Sequence, residues 1–144
     1  MRQGNKMKEA DCYSVRPIGF IRSSLKERSK ASRQAFEGAP DAILEMLPAY
    51  LEGFHRLEIG DEILVITWLH QSRRDVLKVH PRDDQANLLT GVFLTRSPDR
   101  PNPIGLHRVT VLELTPDGIL IGPIEAIDGT PVIDVKAAIR SKDN

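Results

Sequence analysis

The sequence predicts a mainly β domain, a barrel or a sandwich, of about seven short strands with one or two short helices. Three observations carry that expectation. After Gly60, short runs of residues either alternate between apolar and polar or stay apolar, the periodicity of strands. Turn formers punctuate those runs, notably Pro116-Asp117-Gly118 and Asp128-Gly129. Helix signals are confined to the stretch that follows Pro40.

Residues 1–13 are polar and without periodicity, and read as a flexible leader to a single domain over 14–144. Val15 to Ser23 alternates, with Ile18, Phe20 and Arg22 on one side, as a first strand. Arg22 to Arg33 follows as a charged loop, with Arg22, Lys26, Arg28, Lys30 and Arg33 against Glu27. It is either a solvated loop or one that contacts phosphates. Asp41 suits an N-cap, with Ile43, Leu44 and Leu47 on one face, and Pro48 suits only a first turn. Two short helical pieces are expected, about 41–47 and 48–56, with Leu47, Leu51 and Phe54 as core packing.

Glu62 to Leu69 is apolar after its first residue, the pattern of a strand covered on both faces. Asp75 to His80 alternates, with Val76, Lys78 and His80 opposing Leu77 and Val79. Gly91 to Thr95 is a short strand that feeds a Pro-rich stretch, and Ile104 to Leu114 a long strand that leaves it. Ile119 to Ile121, Ile124 to Ile127 and Pro131 to Ala137 complete the set.

The Pro-rich stretch, Thr95 to Gly105, is the most constrained part of the chain. Pro98, Pro101 and Pro103 each fix φ and lack a backbone donor, and they push Ser97, Arg100 and Asn102 toward extended geometry. Gly105 permits a close backbone approach or a turn. Arg96 and Arg100 supply guanidinium groups suited to a carboxylate or a phosphate. The segment is a plain connection between strands or a pre-organised binding surface.

Composition sets limits on function. The chain has 144 residues, with 20 Lys plus Arg against 20 Asp plus Glu, so RNA would have to be met by a local basic patch. The single cysteine, Cys12, excludes an intramolecular disulfide and a multi-cysteine metal site. The longest apolar run, Ile63 to Leu69, is too short to span a membrane, and Met1 to Ala10 has no apolar signal core, so the cytoplasm is the expected compartment. No Rossmann glycine pattern, P-loop or Gly-x-Ser-x-Gly elbow is present. His55, His70, His80 and His107 lack metal-ligand spacing with cysteine. With no strong covalent nucleophile, direct transfer or binding is favoured. His70-Gln71 closes the apolar strand, where His70 is a strand-end hydrogen-bonding residue or a catalyst. Asp128 to Pro131 is by default a turn, with Asp128 bonded to its own backbone.

Arg96-Ser97-Pro98, followed by Arg100-Pro101-Asn102-Pro103-Ile104-Gly105-Leu106, resembles the signature of the TsaA-like (YaeB/TrmO) family. The opening Ile18-Gly19, Ile21-Arg22-Ser23, the pair Arg33-Gln34, His70-Gln71, and Ile127 to Lys136 extend the resemblance over roughly residues 15–139. It implies a closed or nearly closed β-barrel that uses S-adenosylmethionine, without a metal, in a homodimer that shares the site. It places Gln34, Ala35, Phe36, His70, Gln71, Arg96, Asn102, Pro103, Leu106, Asp128, Gly129, Thr130 and Pro131 at the cofactor. The tRNA enzymes of the family methylate the exocyclic nitrogen of threonylcarbamoyl-adenosine beside the anticodon. For such a reaction Asp128 and His70 are the candidate catalytic groups, with Asp128 preferred as the base. Arg96 is a candidate for a methionine or threonyl carboxylate, and the loop carbonyls for orienting adenine and ammonium. Arg22, Lys26, Arg33, Arg73, Arg74 and Arg100 are the candidate RNA contacts, with Lys78 and Arg82 nearby. The sequence differs from the family where Asp99 replaces an aromatic residue, His107 replaces Ser, and Ala137-Ala138 replace Pro-Tyr. Longer tRNA-acting members continue beyond the point matching Asn144. The differences are expected to bear on the acceptor more than on the barrel. Methyl transfer to a small molecule or protein, or non-catalytic cofactor binding, are the alternatives.

Overall fold

The computed structural model describes residues 11–27 and 38–139. Six antiparallel strands close a barrel in the order β1 (Gly19–Arg22), β2 (Ala42–Met46), β7 (Gly118–Gly122), β6 (Ile104–Thr115), β3 (Glu62–Trp68) and β8 (Pro131–Ala137), which returns to β1. A separate two-stranded ribbon pairs β4 (Lys78–Val79) with β5 (Thr90–Gly91). No helix among the described residues is long and apolar enough to cross a membrane.

Alternation explains the barrel better than continuous apolarity does. Along β3, Ile63, Val65 and Thr67 are buried inside, while Leu64, Ile66 and Trp68 are half-buried outside. The strand is therefore not covered equally on both faces, because a barrel wall has one packed interior. Opposite it on β6, Val109 and Val111 point inward. Ile21, Leu44, Ile121, Ile124 and Val132 fill the remaining core. In β1 the buried side is Gly19, Ile21 and Ser23 rather than that of Ile18, Phe20 and Arg22. A Cβ on Gly19 would lie 2.6 Å from the Glu45 carbonyl, so the glycine allows β1 and β2 to approach.

Three expected elements take other forms. Residues 42–46 are strand β2, not a helix, and Asp41 caps nothing helical. Pairing to β1 on one side and β7 on the other satisfies this segment's backbone groups. Pro48 meanwhile holds Leu47 extended at ψ 136°. The expected second helical piece is a 3₁₀ helix, Pro48–Phe54, with Pro48 in its first turn. Leu51 is 53% exposed rather than part of the core, while Phe54 packs on the core. Val92–Leu94 is a 3₁₀ turn after the short β5, not a continuing strand. Ile124 to Ile127 is irregular although Ile124, Ala126 and Ile127 are buried. Pro123 cannot donate to a ladder, and the Ile124 N–H bonds the Pro40 carbonyl instead.

Candidate functional site

The Pro-rich segment is held by arginines that take the place of the missing backbone donors. Arg100 donates from Nε to the Ser97 carbonyl at 2.8 Å and from Nη2 to the carbonyls of Val92 and Thr95, each at 2.7 Å. Drawing those two carbonyls to one nitrogen curls 92–95 into a turn. Arg74 donates to the Pro101 carbonyl at 2.7 Å and to Asn102 Oδ1 at 3.0 Å, while its guanidinium lies over Trp68, 5.2 Å from the ring centroid. The Pro103 carbonyl accepts the Leu69 N–H, and Asp99 Oδ1 accepts the Arg73 N–H. Asp99 thus anchors the backbone of Arg73. Of the loop carbonyls expected to orient a ligand, those of Ser97, Pro101 and Pro103 already accept protein donors.

Behind this loop, β3 and β6 bring together a buried polar pair. Thr67 Oγ1 and His107 Nε2 lie 2.7 Å apart, and His107 Nδ1 lies 2.6 Å from Glu125 Oε1. An ionised carboxylate only accepts, so Nδ1 carries the proton of the contact with Glu125, while Nε2 and the Thr67 hydroxyl share the second hydrogen bond. Gly105 makes the pair possible, because a Cβ there would collide with Thr67 Oγ1 and sit 2.8 Å from His107 Nε2. Burial alone would push the Glu125 carboxyl up. The hydrogen bond and charge of His107, a backbone hydrogen bond, and the charge of Arg96 together hold it below the usual carboxylate range.

These groups open onto a cavity of about 430 Å³ at one end of the barrel. Its walls come from four parts of the chain: the end of β3 with Leu69, His70 and Gln71; Thr95, Arg96, Ser97 and Arg100 of the Pro-rich segment; Ile104 to His107; and Glu125 to Ile127 with Thr130. Of the sequence-derived cofactor residues, His70, Gln71, Arg96, Leu106 and Thr130 therefore line one space. Arg96 Nη2 donates to the Leu106 carbonyl at 2.9 Å. Exposed Phe93 and Leu94, 73% and 84% accessible, stand beside this loop.

Other expected residues are placed differently. Asn102 and Pro103 support the loop from behind. Gly129, at φ 83°, makes the turn, and Pro131 pairs with β1. Asp128 is not among the cavity-lining residues: its Oδ1 accepts the Ser23 N–H at 2.9 Å and its Oδ2 pairs with Lys26 Nζ at 3.1 Å. Those two donors, the Ser23 amide first, lower its carboxyl from the usual range. The expected bond to its own backbone gives way to a tie across to the end of β1. Gln34, Ala35, Phe36 and Arg33 lie outside the described residues.

The candidate RNA contacts are engaged within the protein. Arg22 pairs with Glu45 at 3.2 Å, Lys26 with Asp128, and Arg73 with Asp75 at 2.9 Å. Asp75 is lowered first by its hydrogen bond from Arg73. Arg74 and Arg100 hold the loop. No three His, Cys, Asp or Glu side chains among the described residues gather as a metal site. The sequence pointed to the loop and strand end but missed Glu125, whose isolated acidic character in an Ile-Glu-Ala-Ile run was the available signal.

Residues 20–144 match the family described as the tRNA-methyltransferase O N-terminal domain. The chain is 40% identical over 130 residues to a probable S-adenosyl-L-methionine-binding protein of Methanothermobacter thermautotrophicus, covering 90% of this chain and 93% of that one. It is 37% identical over 122 residues to the S-adenosyl-L-methionine-binding protein of Archaeoglobus fulgidus, covering 85% of this chain and 86% of that one. A crystal structure of TrmO from P. aeruginosa superposes with a TM-score of 0.72 at 31% identity, covering 94% of this chain. The present chain spans 59% of that longer one.

Proposed function

The chain belongs to the tRNA-methyltransferase O N-terminal domain family, and on that premise we propose that it binds S-adenosylmethionine in the barrel-end cavity and transfers its methyl group to the exocyclic nitrogen of threonylcarbamoyl-adenosine in tRNA. The observation that carries this reading is the convergence of His70, Gln71, Arg96, Leu106 and Thr130, from separate stretches, on one cavity. Its volume of about 430 Å³ is in the range of small-molecule sites, and Leu69, Ile104 and Leu106 give the apolar wall an adenine ring needs.

The cofactor supplies an electrophilic methyl group on a sulfonium centre, and the chain's part is positioning and proton handling. Arg96 keeps one N–H on the Leu106 carbonyl and offers the rest of its fork to a carboxylate. His70, on the cavity wall, is the side chain placed to take a proton from the attacking nitrogen. Asp128 fixes the turn that carries Thr130, with both carboxylate oxygens engaged by Ser23 and Lys26. A second copy of the chain covers the exposed Phe93 and Leu94 and completes the site, which makes the working form a homodimer.

Calorimetric titration with S-adenosylmethionine, followed by transfer of labelled methyl to bulk tRNA, tests the reading. Saturable binding and label in tRNA are expected, with RNA affinity falling by about one power of salt concentration per phosphate contacted. A folded protein that binds no S-adenosylmethionine overturns the assignment. Binding without transfer to tRNA removes the tRNA substrate and leaves a small-molecule acceptor or a regulatory role. His70→Gln with unchanged turnover and retained S-adenosylmethionine binding removes His70 as base.

A further inference from the structure

Glu125 is the sole acidic side chain among the described residues that line the cavity. It stands on the buried irregular crossing from Ile124 to Ile127, with its side chain 21% exposed. Its position is fixed from behind by three residues of two strands. His107 of β6 holds Oε1 at 2.6 Å, Thr67 of β3 holds the far side of the imidazole at 2.7 Å, and Gly105 leaves the space in which the two meet. No Lys or Arg among the described residues lies within ion-pair distance of it; Arg96 acts on it only through longer-range charge. Held at Oε1 by His107, the mostly buried carboxylate presents negative charge to the cavity, and a cation that enters there is attracted to it.

We propose that Glu125 is the charge-selecting residue of the cavity: its carboxylate faces the sulfonium of bound S-adenosylmethionine and makes the site prefer that cation to the neutral thioether of S-adenosylhomocysteine, a role that rests on the cofactor site assigned to this cavity. The chemistry of the wall selects a sulfonium over an ammonium. An ammonium brings three N–H donors and needs acceptors for each, whereas a sulfonium has none and needs only an anion among hydrocarbon. Ala126 and Ile127 next to Glu125, with Leu69, Ile104 and Leu106 elsewhere in the cavity, supply the hydrocarbon part of the wall. His107 orients the carboxylate and is a positioning residue. The consequence is directional: once the methyl group has left, the sulfur is neutral, the attraction is gone, and the product dissociates more readily than the cofactor.

Calorimetric titration of the wild-type protein and of Glu125→Gln with S-adenosylmethionine and S-adenosylhomocysteine tests the role without any turnover. Glutamine keeps the shape and the acceptor for His107 while removing the charge. The wild type should favour S-adenosylmethionine; Glu125→Gln should lose about tenfold or more of that affinity while its affinity for S-adenosylhomocysteine stays within about twofold. Glu125→Asp, which retains the charge, should keep more of the preference than Glu125→Gln. Equal loss for both ligands, or no loss for either, overturns the proposal, since a merely structural role cannot change the ratio. Retained S-adenosylhomocysteine binding shows that the variant is folded. A wild-type protein that binds neither ligand overturns instead the cofactor site itself, and is told apart by that result.

Discussion

Replacing Gly105 with alanine tests the arrangement at the base of the cavity more directly than any other single change. A Cβ at this position collides with Thr67 Oγ1, approaches His107 Nε2 to 2.8 Å and approaches Leu69 to 3.1 Å. Neither polar neighbour can yield freely, because Thr67 is fully buried and His107 is held at both ring nitrogens. Overpacking of this kind costs about 1–3 kcal/mol. Breaking the Thr67–His107 bond inside the barrel adds about 1–3 kcal/mol. The lower backbone entropy of alanine in the unfolded chain returns about 0.5–1 kcal/mol. The net expectation is a destabilisation of about 1–5 kcal/mol, a large part of a small domain's total of about 5–15 kcal/mol. Urea denaturation of Gly105→Ala, alone and combined with Thr67→Ala, measures it. In the Thr67→Ala background the collision with Oγ1 is gone, so Gly105→Ala should cost less there, with a coupling of about 0.5–3 kcal/mol. A cost below about 0.5 kcal/mol, or the same cost in both backgrounds, would refute the steric reasoning.

Arg100→Lys loses the fork that gathers three carbonyls and should destabilise the protein by about 2–4 kcal/mol, with faster amide hydrogen exchange over 95–103; unchanged exchange there would show that the loop does not depend on Arg100. Arg74→Ala uncovers the only tryptophan, Trp68, so its emission should shift to the red, with a stability loss of about 0.5–1 kcal/mol. Asp128 has its folded carboxyl below the unfolded value of about 3.9, so the unfolded chain takes up that proton first as pH falls. Its contribution is complete above about pH 5 and is lost as pH falls through the folded value; stability curves of Asp128→Asn should therefore be flatter on the acid side and unchanged in slope near neutrality.

The parts of the fold legible in the sequence were those whose cause is local. Prolines and the Pro116-Asp117-Gly118 signal marked the loop and the turn between β6 and β7, a continuous apolar run marked β3, and alternation marked β6. The segment 42–46 was misread because Ile43, Leu44 and Leu47 fit a helical face as well as Ala42, Leu44 and Met46 fit a strand; pairing on both edges decided between them. Ile124 to Ile127 was misread as a strand because burial and strand pairing leave the same apolar trace. Of the cavity wall, His70, Gln71, Arg96, Leu106 and Thr130 lie in runs matched to the family and could be named in advance as a group.

What the sequence determined by itself is the mainly β character, the stiffness of the stretch around Pro98, Pro101 and Pro103, and the family. Tertiary structure alone decided which polar groups face the cavity. Arg100 and Arg74 look like anion ligands in sequence, yet they satisfy carbonyls of a backbone short of donors, because a proline-rich turn needs donors from elsewhere. Asp128 looks like a base, yet both its oxygens are taken by Ser23 and Lys26. Glu125 looks like a stray charge in an apolar run, yet it is the carboxylate that meets the cavity. Its partners, His107 and Thr67, are 18 and 40 residues from their own neighbours in the chain of hydrogen bonds, and only closure of the barrel brings them within reach.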